Sequence, residues 1–259
     1  MSSLVSSSLG TINYPRTKVR KGSSNLTSGW GLSISTRFYF STSHLRAANH
    51  FRAESERTEQ PFEGDPAPIR GRPSEEIQQA LFKHNSYVVG AVFSAVAFLE
   101  ALINELFLDT VDEHQAGPAQ QVPAGVRERL AEAWRRSTEN LAILTIFQAA
   151  LVLAGKASFD PGRQPYQAVK VLIDLRNNLV HFEPATRSAA DRTRFEGRLQ
   201  AQNFSLHPWY ENSPGNPVFP DKCLSHGCAE WAFSSSLRFA DEFCSRMQIT
   251  PNYQHFRPT

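Results

Sequence analysis

Residues 74–109 read SEEIQQALFKHNSYVVGAVFSAVAFLEALINELFLD, and the period of this stretch decides the fold class. Leu81, Val88, Val92, Val96, Leu99, Ile103 and Leu106 recur in three- and four-residue steps, which places them on one helical face. Ser74 is suited to capping the first turn, and Glu75 and Glu76 stand where the helix dipole favours acids. The most apolar part, from Tyr87 to Leu99, is followed by Glu100 and Glu105. It therefore falls short of the roughly 18 to 20 uncharged residues of a membrane span, and no transmembrane helix is expected.

Working outward, a break at Gly117-Pro118 and Pro123 precedes a second long helix, predicted from about Ala124 to Ala154 and closed by Gly155 as the residue after the cap. Leu141, Leu144, Phe147, Leu151 and Leu153 supply its apolar positions. Beyond the Asp160-Pro161-Gly162 turn, Pro165 suits the first position of a helix that runs towards Pro184. Arg187 to Leu199 reads as a short charged helix, and His207 to Pro220 as a long surface connection. Asp221 is placed to cap a last helix through Trp231, Phe239 and Phe243 to about Met247. On the N-terminal side, four prolines and two glycines make Gln60 to Pro73 an irregular connection, preceded by a helix from Arg37 to Glu59 with Phe38, Phe40, Leu45, Ala48 and Phe51 as apolar positions. Residues 1–33 are rich in Ser, Gly, Thr and Asn without sustained period and read as disordered or loosely attached. The expected architecture is an all-α, up-and-down bundle of about five helices in a single domain, residues 34–259.

Charge is unevenly spread. Residues 1–53 carry seven of the 27 basic residues and no acid, which leaves 20 basic against 25 acidic residues in the rest. A mildly acidic body argues against a broad electrostatic grip on nucleic acid, so recognition of phosphate must be local. The basic, Ser-rich N-terminus also fits an organelle transit peptide, although an Arg-rich amphipathic helix is not evident there. The three cysteines, Cys223, Cys228 and Cys244, form no regular framework and suit a reducing compartment, so a cytoplasmic location is expected. Cys223, His226 and Cys228 match no standard spacing of zinc ligands, and no metal or cofactor is expected.

Chemistry concentrates in Val171-Leu172-Ile173-Asp174-Leu175-Arg176-Asn177-Asn178-Leu179-Val180-His181-Phe182-Glu183. Here an apolar helical run carries an arginine, a polar neighbour and, after four intervening residues, a histidine. The stretch from Leu175 to Phe182 resembles the signature of HEPN domains (higher eukaryotes and prokaryotes nucleotide-binding). Phe98-Leu99-Glu100-Ala101-Leu102-Ile103-Asn104-Glu105-Leu106-Phe107 resembles the acidic, otherwise apolar earlier helix of many HEPN-like proteins. The resemblance implies a HEPN-like helical bundle that forms a homodimer with a composite active site. In active members it is a metal-independent endoribonuclease, a toxin or defence effector, with an antitoxin or regulatory protein as a further partner.

The chemistry has independent support. RNA carries its own nucleophile, the 2′-OH, so cleavage to a 2′,3′-cyclic phosphate needs a proton-transfer group and a cation on the phosphate. His181 fits the first role and Arg176 the second, with Asn177 bonding the phosphate or orienting the imidazole. Glu100 and Asn178 are expected behind them, Glu100 as the partner of Arg176. Arg187, Arg192 and Arg194 would lead RNA to the site, although with Asp191 and Glu196 between them they also suit a plain solvated face. At 100° per residue Arg176 lies about 140° from His181, so it must reach around, or the helix must loosen before Pro184, or the pair must form between two subunits. The plainer alternative for the motif is an ion pair of Arg176 with Asp174 or Glu183 and a histidine closing a helix. A non-catalytic HEPN-like dimer that binds a protein or nucleotide is the rival function, and a membrane or organelle protein a third.

Overall fold

In the computed structural model the described residues are 37–62, 74–112, 117–136, 141–183, 193–211, 213 and 215–256. Among them there is no strand, and the protein is all-helical. The helices are α1 (Ser41–Glu59), α2 (Glu75–Val111), α3 (Ala124–Arg135), α4 (Ile143–Leu153), α5 (Tyr166–Val180), α6 (Arg194–Gln200), α7 (Pro208–Glu211) and α8 (His226–Met247). The readings of residues 1–33, of most of the connection before Pro73, and of Arg187 and Arg192 lie outside the described residues.

α2 is the axis of the bundle, touched by α1, α3, α4, α5 and α8. Its N-terminus is the one read from sequence: the Ser74 hydroxyl accepts the Ile77 amide at 3.4 Å. All seven positions of the apolar stripe from Leu81 to Leu106 are buried. By length and composition alone α2 could cross a membrane, but 50% of its most apolar window is buried inside the bundle, so core packing already accounts for that apolarity. On the far side of the core, Phe147 of α4 meets Phe239 and Phe243 of α8 edge-on, at centroid distances of 5.0 and 4.7 Å.

The Gly155 stop holds in full. Gly155 has φ +67°, the Lys156 amide donates to Leu151 O at 2.8 Å and the Gly155 amide to Val152 O at 3.0 Å, the two bonds of a Schellman closure.

Several expectations need correction. In place of the one helix expected over 124–154 there are two, α3 and α4, with α4 packed against α2, α3 and α8; Leu141, expected in the core, is exposed. Phe38 and Phe40 precede α1 and are exposed. Pro165 stands one residue before α5, at its cap. The last helix begins not behind Asp221 but behind Ser225, whose hydroxyl accepts the Cys228 amide at 3.1 Å. Asp221 instead accepts from Asn216. The stretch from His207 to Pro220 is no simple surface connection, since His207, Trp209 and Phe219 are all buried.

Candidate functional site

α5 lies between α2 and α8, with α6 packed against it. Val169, Leu172 and Leu175 turn inward and are fully buried. The opposite surface carries Asp174, Asn177, Asn178 and His181, whose i, i+3, i+4, i+7 spacing confines them to an arc of about 100°. Asn177, Asn178 and His181 are exposed.

Helical geometry persists to Val180, and only His181, the C-cap, departs from it with φ −104° and ψ 39°. Its amide donates to Asn177 O at 2.9 Å, while its imidazole has no hydrogen-bond partner among the described residues. The chain beyond it is anchored by aromatic contact: Phe182 lies 6.0 Å from the buried Phe219, which in turn meets Phe195 of α6 at 5.4 Å.

Arg176 points the other way. Its Nη2 stands 3.9 Å from Oε2 of Glu100 on α2, a loose ion pair with side chains 29% and 52% exposed. The Arg176 Nε is buried and makes no hydrogen bond. Thus the two resemblance-bearing stretches do meet, through Glu100 and Arg176, whereas Arg176 and His181 occupy different sides of α5. Because α5 does not loosen before His181, the backbone offers no route for the two side chains of one chain to share a face.

Asp174 is paired with Arg198 of α6 (Nη1 to Oδ2, 2.7 Å), not with Arg176. The Asn178 side chain turns back and donates to Asp174 O at 2.7 Å, which leaves it a role in the helix itself. Arg194, the first residue of α6 and exposed, lies one turn from Arg198 and so on the α6 face that reaches Asp174. α6 is fixed by a capping box, with Thr193 Oγ1 accepting the Glu196 amide and Glu196 accepting the Thr193 amide. A surface cavity of about 380 Å³ beside Asp109, Arg127 and Arg135 shares no residue with this region.

A second polar cluster escaped sequence reading altogether. Glu59, the last residue of α1, His84 of α2 and His207, which precedes α7, bring their ligand-type atoms within 4.8 Å of one another. Both imidazoles are fully buried. Burial pushes His84 from its ordinary 6.5 down to about 4, and burial with the neighbouring His84 pushes His207 down to about 3. Glu59 also accepts the His226 amide at the start of α8, at 2.8 Å. Residues so far apart in sequence form no local motif, and no spacing rule could have found them. Cys223 and Cys228 belong to the core, where burial raises both thiols well above their ordinary range.

Compared with family models, with curated proteins and with solved structures, the chain matches none of them.

Proposed function

We propose that the protein is a HEPN-like endoribonuclease that acts as a homodimer, with His181 as the proton-transfer group, Asn177 beside it and Arg176 as the phosphate-binding cation. The observation that carries this reading is the exposed Asn177–His181 stripe on a helix whose other flank joins Arg176 to Glu100. The imidazole is open to solvent and has no competing partner among the described residues, as a group that exchanges protons with a substrate requires. Val180 and Phe182, each 49% exposed beside His181, offer apolar area that a second copy would cover. In a two-fold dimer Arg176 of one subunit serves His181 of the other, which removes the angular conflict within one chain. Arg194, on the α6 face turned towards α5, is a contact for the RNA backbone. A toxin or defence role in the cytoplasm, with an antitoxin or regulator as partner, extends the same reading.

The rival reading, a non-catalytic module that binds a protein or nucleotide, is favoured by one observation: within a chain the cation is held by Glu100, away from the histidine. Incubating the purified protein with defined and cellular RNAs in chelator, beside His181→Ala, separates the two. The nuclease gives 2′,3′-cyclic phosphate and 5′-OH ends with the wild type only. Equal inertness of both proteins on every RNA leaves the binding module.

A further inference from the structure

We propose that Glu59, His84 and His207 form a binding site for one divalent first-row transition cation, with Zn²⁺ the best match to two imidazoles and a carboxylate. The site is made where four segments converge: the end of α1, the third turn of α2, the residue before α7, and the turn that leads into α8. His84 Nε2 faces the Glu59 carboxylate at 3.6 Å and the Leu224 carbonyl oxygen at 3.1 Å. The other ring nitrogen of His84 lies 3.2 Å from the Thr58 hydroxyl, which itself donates to Glu54 O at 2.8 Å. A hydroxyl has one proton, so with that bond made the Thr58 oxygen accepts, Nδ1 of His84 carries the ring proton, and Nε2 presents its lone pair to the cluster. Such a hydrogen-bonded chain behind the ring is the usual support of a metal-binding histidine. In that tautomer Nε2, the Glu59 carboxylate and the Leu224 carbonyl are three acceptors facing one another, an arrangement that suits a cation.

His207 supplies the independent observation. Its Nε2 is buried and has no hydrogen-bond partner, although the ring lies edge-on to His84 at a centroid distance of 4.7 Å. Orphaned polar atoms of this kind are rare in cores and call for a ligand or an ordered water. Phe62 packs against both rings, at centroid distances of 6.4 Å from His84 and 5.2 Å from His207, and Trp209 packs on Phe62 in turn. Tetrahedral coordination at ordinary Zn–N and Zn–O lengths puts ligand atoms about 3.3 Å apart, so the three side chains must draw in from their present separation. One local bond must also give way. The Trp209 amide now donates to His207 Nδ1 at 3.1 Å, and coordination through Nε2 moves the ring proton to Nδ1, so this amide must turn aside. A single neutral hydrogen bond is weak beside several coordination bonds. His84 and Glu100 are 16 residues apart on α2, about 24 Å along the helix at 1.5 Å per residue, so the cation takes no part in the chemistry proposed for α5.

The test uses the full chain stripped by chelator, dialysed against Zn²⁺ and measured for bound metal, with His207→Gln and Glu59→Gln alongside and far-ultraviolet circular dichroism to show that each is folded. One equivalent held by the wild type and lost from both variants is expected, with Co²⁺ giving visible bands without thiolate absorption and Trp209 emission changing on loading. Should His207→Gln fail to fold, Glu59→Gln decides the matter, since its amide oxygen still accepts the His226 amide. Folded wild type that holds no metal, variants that hold it as well as the wild type, or thiolate absorption placing the ion on Cys223 and Cys228 would each overturn the assignment. None of these readouts depends on ribonuclease activity.

Discussion

Glu105 of α2 caps Ser41 of α1 from 64 residues away. Its Oε1 accepts the amides of Phe40 and Ser41 at 2.6 and 2.8 Å, and its Oε2 takes the Ser41 hydroxyl at 2.5 Å. α1 has no cap of its own, because Phe40 at that position carries no acceptor, so the carboxylate meets the first turn where the dipole favours negative charge. Glu105→Ala should lower stability by roughly 1–3 kcal/mol in chemical denaturation, and Glu105→Gln by less, since an amide oxygen still accepts. An unchanged midpoint for Glu105→Ala would remove the cap from the list of forces holding α1.

The Glu100–Arg176 pair should behave differently. At 3.9 Å and substantially exposed, it is a weak contributor to stability, and a double-mutant cycle should give a coupling below about 1 kcal/mol. If Arg176 serves the phosphate instead, Arg176→Ala should abolish RNA cleavage while the fold stays within that margin. A large loss of stability would mark the pair as structural.

Sharing of the site between subunits can be read from mixtures. Arg176→Ala and His181→Ala should each be inactive, yet co-refolded in equal amounts they should recover about a quarter of wild-type activity: half the dimers are mixed, and each has one intact site of two. No recovery, with dimers exchanging freely, would place both residues of each site in one chain.

Two glycines should respond in opposite directions. A methyl group at Gly227 would stand 2.8 Å from the backbone nitrogen and oxygen of Ser205, where the chain crosses the start of α8; Gly227→Ala should cost roughly 1–3 kcal/mol. Gly197, inside α6 with nothing within 4 Å, should gain about 0.5–1 kcal/mol as alanine. Thermal unfolding of the two variants checks both signs.

The thiols should be silent in the native state. Cys223, Cys228 and Cys244 are buried, and burial holds the first two in the protonated form that does not attack alkylating reagents. Mass spectrometry after iodoacetamide treatment should find none of the three modified until denaturant is added. Rapid native labelling of Cys223 or Cys228 would mean that the turn before α8 opens readily.

What the sequence makes legible here is what repeats locally. The α2 stripe, its Ser74 cap and the Gly155 stop each depend on residues within one or two turns, and each is found where the period places it. The separation of α3 from α4 is different: no proline or glycine lies between Arg136 and Ala142, and the two helices pack on different partners, Trp134 on Phe107 of α2 and Phe147 on Phe239 and Phe243 of α8. The meeting of Arg176 with Glu100 could be anticipated because a charge in an apolar helix demands a partner. The Glu59–His84–His207 cluster could not, since each residue alone looks like an ordinary polar position in its own segment.

Glu105 reaching back to Ser41 and Glu59 reaching forward to His226 mean that the first helix is completed by the second and the last is completed by the first. During synthesis α1 leaves the ribosome without its cap, and the groups that hold its start arrive only with the C-terminal half of α2. Glu59 then waits for α8, 167 residues later. The domain is therefore expected to assemble late and as a unit, from a nascent chain whose early helices lean on acceptors and donors not yet made.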